Sequence, residues 1–376
     1  MYTILLRHNT SMLQQVALLM DTIHSKQVPE ELALYKGWLI RTLESMQSVI
    51  QNNLKAINKK NSNLYKDILS DTELVFHNLG LVNSLYVPPI HRSISSDIIS
   101  LKLLHWLHNS NSKTINIPFA IADGSFGVYL NQRTLYYLPI VEQKGLLFLA
   151  LFFHEFGHVL FAIHRPEMEQ LIAEIQLAIE EFLRPGFAHN DEKNEDEWRN
   201  NEIIVTTWYR WALELYCDAV GLVIGGPAYL LAFSNYFQMG GRNEFFNNKE
   251  ELAGSTHPVT SIRLKFLLSR ARQLGYNEIS NQVEEEWNLL KTSYNVNEEY
   301  FGYYIEEYFE VIEGVISDMI TQSFPIEYNN SSCSPAVLIN QAWQKFYENP
   351  AGYPDAEKNL VHNFLNSSFQ LSSILS

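Results

Sequence analysis

Residues His154, Glu155 and His158 form an HExxH pattern inside the apolar run GLLFLALFFHEFGHVLFAIH. Two histidines four apart on a helix lie one turn above each other on the same face. Both imidazoles can therefore reach one metal ion, and tetrahedral Zn²⁺ accepts that geometry. Glu155 follows the first histidine directly, where a carboxylate can take a proton from metal-bound water. In a chain of 376 residues a chance HExxH is expected on the order of a few times in a hundred. A chance match would rarely fall in so apolar a helix, because an unpaired Glu155 is costly to bury there. The run predicts a buried helix that carries a metal site.

The rest of the composition limits what surrounds that helix. Hydrophobic residues make up 46% of the chain and charged residues 18%, with 20 Tyr and 21 Phe. That is globular material, enough for one large domain or two to three modest ones. The net charge of −15, from 42 acids against 27 bases, repels nucleic acid and anionic membrane. Two cysteines, Cys217 and Cys333, exclude a disulfide framework as the folding strategy. Cys217 lies in an apolar segment and reads as a small core residue rather than a ligand. The first twenty residues lack the unbroken apolar segment and small-residue cleavage site of a signal peptide. The longest apolar run, 145–153, stops at His154 and is too short to span a membrane; the next, 219–233, is broken by Gly225, Gly226 and Pro227. A soluble, cytoplasmic protein without membrane insertion is expected.

Along the chain, Leu32, Tyr35, Leu39, Leu43, Met46, Ile50, Leu54 and Ile57 recur at helical spacing. Weaker patterns over 11–24, 63–80 and 93–108 extend a helical region with no visible catalytic group, which reads as a packing or regulatory layer. Residues 115–138 are β-branched and aromatic, punctuated by Asp123-Gly124 and Gly127, and predict a hairpin or short sheet. An edge strand there could pair with substrate backbone beside the metal. After Arg165-Pro166 a charged helix runs to about Leu183. The acidic segment 187–201 reads as an exposed loop, and further helices are expected from about Trp198 to Ile224, over 258–273, 276–291 and 298–322, and after Pro335.

A hydrolytic zinc site needs a third protein ligand and an open position for water. Two candidates compete. Glu214, in WALELYCDAVG, is an acid among apolar neighbours that needs a partner, and Asp218 one turn on could accept the second ring N–H of a ligand histidine. His164 stands ten residues after His154, but the position where a helix-breaking glycine would be needed holds Phe161. On an unbroken helix His164 would lie about 15 Å along the axis from His154. A further element, Thr256-His257-Pro258 followed by Arg263, suits a helix start with Pro258 in the first turn and His257 near the cap. His257 could then point at an oxyanion, and Arg263 could brace Asp218 or Glu214. Tyr216 and Tyr129 are alternatives to His257.

The order of HExxH, then ExxxD at Glu214 and Asp218, then HPxxxxR at His257, Pro258 and Arg263 resembles the gluzincin peptidases. It is especially similar to the HtpX-like and CAAX-prenyl-protease family with its soluble BepA-like relatives. GSFGVYLNQRTLYYLP is similar to that family's strand before the motif helix, so the resemblance covers roughly residues 115–270. The chain departs from it in lacking the spanning helices of the membrane members, and in the acidic segment between His158 and Glu214. Together with the helical periodicity on either side of it, the resemblance gives an expected fold that is mainly helical α+β: a helical region over 1–110, a zincin-like core with a small sheet over 111–275, and a helical region over 276–376. It implies Zn²⁺ bound by His154, His158 and Glu214, with Glu155 as general base and Asp218 behind the ligands. The expected activity is hydrolysis of peptide bonds in a protein or peptide substrate. Two other readings stay open: a toxin- or defence-type protease with a single protein target, and a metal-bearing regulatory or interaction protein without turnover. An intact Glu155 speaks against the last, since a purely structural site needs no base.

Overall fold

A computed structural model of the chain describes residues 2–59, 64–92, 94–131, 133–184, 195–296, 298–328 and 334–366. Among these the protein is mainly helical with one small three-stranded sheet, an α+β architecture weighted to helix. The chain divides into two compact units. One is made of Met1–His105, Asn116–Ser125 and Asn131–Gln143, the other of Trp106–Ile115, Phe126–Leu130 and Lys144–Ser376.

The first unit is built on α1 (Tyr2–Ser25), α2 (Ala33–Asn58), α3 (Tyr65–Leu81), the short α4 (Pro88–His91) and most of α5 (Ile94–Asn109). Leu5, Asn9, Met12, Val16 and Ile23 form the buried stripe of α1, at the three- and four-residue spacing of one helix face. The stripe expected on α2 is buried from Tyr35 to Ile57, except that Asn53 is turned inward and Leu54 is only partly covered. Asn53 is inward because it meets Asn9. Asn9 donates to Leu5 O at 3.0 Å and to Thr72 Oγ1 on α3 at 2.9 Å, and Asn53 Nδ2 donates to Asn9 Oδ1 at 3.4 Å. A polar layer of this kind inside an apolar bundle fixes the register of three helices, because any slip leaves a buried amide unpaired.

The sheet comprises β1 (Phe119–Asp123), β2 (Gly127–Tyr129) and β3 (Thr134–Leu138), in the order β1-β3-β2. β1 and β3 are parallel, with Phe119 opposite Thr134 and Asp123 opposite Leu138. The Asp123-Gly124 pair therefore does not close a hairpin between these two strands. It lets the chain leave the sheet close to Tyr137, whose ring would lie 2.8 Å from a Cβ on residue 124. β2 is an edge strand and packs against the HExxH helix.

The second unit holds α6 (Leu151–Ile163), α7 (Arg165–Leu183), α8 (Glu195–Gly225), α9 (Pro227–Gln238), α10 (Lys249–Gly254), α11 (Thr260–Gln273), α12 (Asn277–Ser293), α13 (Phe309–Ser323), α14 (Pro335–Glu348) and α15 (Tyr353–Asn366). α8 is the pillar, packed by α6, α7, α9, α11, α13 and α14. α6 is apolar on every side and is correspondingly sealed, with ten of its residues buried. At Gly157 it lies tight against α8, where a Cβ would sit 2.9 Å from Cys217 Cα and 3.1 Å from its sulfur. α6 ends at Ile163, His164 leaves helical geometry, and Pro166 opens α7 after a bend of 101°. Among the described residues no single helix is long and apolar enough to cross a membrane; α6 with its preceding turn and α7 reach that length together only across the bend.

Two expectations for this unit change. Of the acidic segment 187–201, residues 187–194 lie outside the described residues, while 195–201 are the first turns of α8 rather than loop. Arg184 at the end of α7 reaches across to them, donating to Trp198 O at 3.2 Å and lying over its ring at 5.6 Å. The helix expected over 298–322 begins only at Phe309, because Phe301 (φ 49°) and Gly302 (φ 82°) take left-handed backbone angles that stop it earlier.

The C-terminal helices hold the two turns that aim the motif segments. Trp343 Nε1 donates to Leu147 O at 2.8 Å, and Glu357 accepts from Leu146 N at 2.8 Å, just ahead of α6. Asn340 donates to Gly225 O at 2.8 Å and accepts from Ala228 N at 2.9 Å, bracketing the turn between α8 and α9. The tight α6–α8 contact gives a direct test. Gly157→Ala should destabilise by about 1–3 kcal/mol, the usual range for a methyl forced into a packed core. Gly314→Ala is the control, since it sits in α13 with nothing within 4 Å of a new Cβ, and should stabilise by about 0.4–1 kcal/mol. Denaturant midpoints of both variants decide whether the close approach at Gly157 is required.

Candidate metal centre

Helical spacing on α6 stacks His154 and His158, their ring centroids 5.0 Å apart and nearly perpendicular. Both face α8, where Glu214 is sealed at 7% side-chain exposure. His154 Nε2 lies 3.3 Å from Glu214 Oε2, and His158 Nε2 lies 3.6 Å from Glu214 Oε1. Glu214 Oε2 is buried, with His154 Nε2 at 3.3 Å, His257 Nε2 at 3.4 Å and Arg263 Nη2 at 3.9 Å around it. A carboxylate buried among imidazole nitrogens needs a cation beside it, either a protonated histidine or a metal ion.

Behind this group stands Asp218, one turn after Glu214 on the same face of α8 and 2% exposed. It accepts from His154 Nδ1 at 2.8 Å, from Tyr229 Oη at 2.7 Å, and from Arg263 Nε and Nη2 at 2.7 Å each. Arg263 comes from α11 and lies over the rings of Phe233 and Phe237, at 5.0 and 5.3 Å. With Nδ1 engaged by a carboxylate, His154 presents Nε2 to Glu214 and His158.

The electrostatics divide the two histidines. Burial alone pushes His154 down, but the hydrogen bonds and charges of Asp218 and Glu214 overcome it and hold it up at about 10. His158 is pushed down to about 4 by burial and by the His154 charge. Burial would raise Glu214, yet His154 holds it down at about 2. Asp218 is held well below the ordinary carboxylate range by Arg263 and His154, against its burial. Glu155, buried beside His154, is pushed up to about 7 by desolvation, with the charges around it partly cancelling. A carboxyl with that value can both take and give a proton near neutrality.

The remaining expected residues fall in different places. His257 lies in the loop before α11 with its side chain 54% exposed, Nε2 3.4 Å from Glu214 Oε2 and Nδ1 2.8 Å from Thr256 Oγ1. Pro258 is not in the first turn of a helix. α11 starts at Thr260 behind an extended Val259, so His257 is a loop residue on the solvent side of the donors rather than a cap. His164 sits in the bend between α6 and α7 with Lys113 and Glu167 as its charged neighbours, away from the donors. Tyr216 is fully buried beside Ser323, and Tyr129 ends the edge strand.

Two residues were not anticipated. Cys217 was read as core, and it is fully buried, with its thiol pushed up by burial and by neighbouring acids. Its sulfur nevertheless lies with nitrogens of His154 and His158 inside a group whose ligand atoms are all within 4.8 Å of one another. The only hint in the sequence was its position three residues after Glu214, on the same helix face. Tyr229 had no such hint, because it reaches Asp218 from another helix. His154 and His158 could thus hold a metal ion together with Glu214 or with Cys217. Two nitrogens with an oxygen or a sulfur form a donor set suited to a divalent transition metal.

The charges set a pH dependence for the metal-free protein. A raised His154 adds stability that is complete below its ordinary 6.5 and is lost as pH climbs toward 10. Glu155, raised to about 7, favours folding as the neutral acid, and that contribution fades between its ordinary 4.5 and 7. The lowered His158 acts on the acid side, its contribution fading as pH falls from 6.5 toward 4. Melting temperatures of the metal-free protein should therefore decline from pH 6.5 to 10. A flat alkaline limb would mean that His154 does not hold its proton between two carboxylates. Compared with protein-family models, curated proteins and solved structures, the chain matches none.

Proposed function

We propose that the protein is a zinc-dependent endopeptidase with a gluzincin-like core, in which His154, His158 and Glu214 hold the ion and Glu155 is the general base. The observation that carries this reading is the convergence of His154, His158 and Glu214, buried together with the Glu155 carboxyl beside them. When bound, zinc supplies a Lewis acid that lowers the pKa of water and polarises a peptide carbonyl. Glu155 takes the proton of the attacking water and delivers it to the leaving amine. Asp218, clamped by Arg263, keeps the His154 ring in its orientation. His257, on the open side of Glu214, donates to the developing oxyanion. The edge strand β2, packed against α6, offers backbone groups to an extended substrate peptide.

Cys217 supports a second reading. If its thiolate joins His154 and His158, the set carries the sulfur donor common in structural zinc centres and leaves Glu214 off the ion. The same set of variants separates the two. The peptidase reading expects one zinc per chain, lost in Glu214→Ala and kept in Cys217→Ala and His164→Ala. Zinc lost in Cys217→Ala, with no hydrolysis by the parent chain, would favour the structural centre. Glu155→Gln should keep its zinc and lower hydrolysis of a denatured-protein substrate by about 10²–10⁴-fold, the usual weight of a positioned general base. Residual turnover within about tenfold of the parent would remove Glu155 from that role.

A further inference from the structure

We infer that Tyr229 is a positioning residue of the donor group: its hydroxyl fixes the Asp218 carboxylate in the rotamer that receives the His154 Nδ1–H. The inference rests on the metal-site reading above and extends it to a residue on a third helix. Asp218 Oδ1 carries three donors, His154 Nδ1 at 2.8 Å, Tyr229 Oη at 2.7 Å and Arg263 Nη2 at 2.7 Å, whereas among the described residues Oδ2 carries Arg263 Nε at 2.7 Å. The bidentate guanidinium holds the carboxylate from one side. Left with Arg263 alone, the carboxylate can turn with its partner and move Oδ1 out of the imidazole plane. The tyrosine hydroxyl supplies the second direction that stops this rotation.

The chain makes room for the ring that carries that hydroxyl. Gly221 and Gly225, four residues apart on α8, leave a slot in which the Tyr229 ring lies; a Cβ on Gly221 would be 2.5 Å from the ring, and one on Gly225 2.9 Å from Tyr229 Cβ. Gly226 takes φ +57° and Pro227 begins α9, so the chain reverses at once and sends Tyr229 back along α8. Asn340 on α14 pins both sides of this turn, through Gly225 O and Ala228 N. The ring is wholly buried and its hydroxyl is kept protonated by burial beside Asp218. The slot houses the ring, and the buried hydroxyl needs an acceptor; the acceptor it takes is the oxygen that also receives the His154 Nδ1–H.

Tyr229→Phe keeps the ring and removes only the hydroxyl. In ¹⁵N-histidine-labelled metal-free protein, the hydrogen-bonded His154 Nδ1–H should be sharp in the parent and shifted or broadened in Tyr229→Phe. Zinc affinity, read by competition with a chelating dye, should fall about tenfold, the low end for loss of a partner behind a ligand histidine. Asn340→Ser, which loosens the turn and leaves the hydroxyl in place, should move the same resonance with a smaller loss of affinity. That variant keeps the test decisive if Tyr229→Phe melts too early to study. An unchanged His154 resonance and unchanged zinc affinity in Tyr229→Phe would overturn the inference. If neither parent nor variant binds zinc, the metal-site reading fails, while the His154 resonance still decides whether Tyr229 positions Asp218.

Discussion

The second unit is organised around one buried carboxylate. Asp218 brings together α6 through His154, α9 through Tyr229 and α11 through Arg263, all on the pillar α8. Burying a carboxylate costs several kcal/mol, and only well-directed donors offset that cost. Four donor atoms on Asp218 do so, and they come from three separate places in the chain, His154, Tyr229 and Arg263. The carboxylate therefore acts as a geometric reference: a helix that drifts leaves a charge unpaired, typically at about 3–5 kcal/mol. The arrangement of His154, His158 and Glu214 follows from that constraint.

The same constraint makes two identical side chains chemically unlike. His154 and His158 are one turn apart on one helix, yet one is held up at about 10 and the other pushed down to about 4. His154 is hydrogen-bonded to a carboxylate behind it, whereas for His158 desolvation and the His154 charge outweigh the pull of Glu214. Glu155 sits between these extremes at about 7, in an apolar wall where opposing charges nearly cancel. Environment rather than residue type assigns the roles, as wherever paired titratable groups are driven apart by their surroundings.

What the sequence made legible was what helical periodicity alone can place. HExxH and ExxxD each put two groups on one helix face, and the structure brings these faces together, with Arg263 on Asp218. The apolar stripe of α2 was legible for the same reason. Contacts between distant segments were not. Cys217 looked like core, and its nearness to both histidines depends on how closely α8 approaches Gly157. Tyr229 depends on a turn pinned by a residue 115 positions beyond Gly225. The parallel pairing of β1 and β3 was hidden because strand propensity carries no direction. His257 was placed at a helix cap by its proline, but the extended Val259 moved the helix start past it.

The C-terminal helices give the molecule a temporal order. The turn ahead of α6 is held by Trp343 and Glu357, partners 196 and 211 residues further along the chain. Contacts that close such long loops form late, since the entropy of closure is lost before they are made. While the chain is being synthesised, residues 144–230 therefore exist for some time with their histidines and acids present but not yet aimed. Under the proposed chemistry, a nascent chain holds the parts of a hydrolase without the means to cut its own unfolded segments or its neighbours.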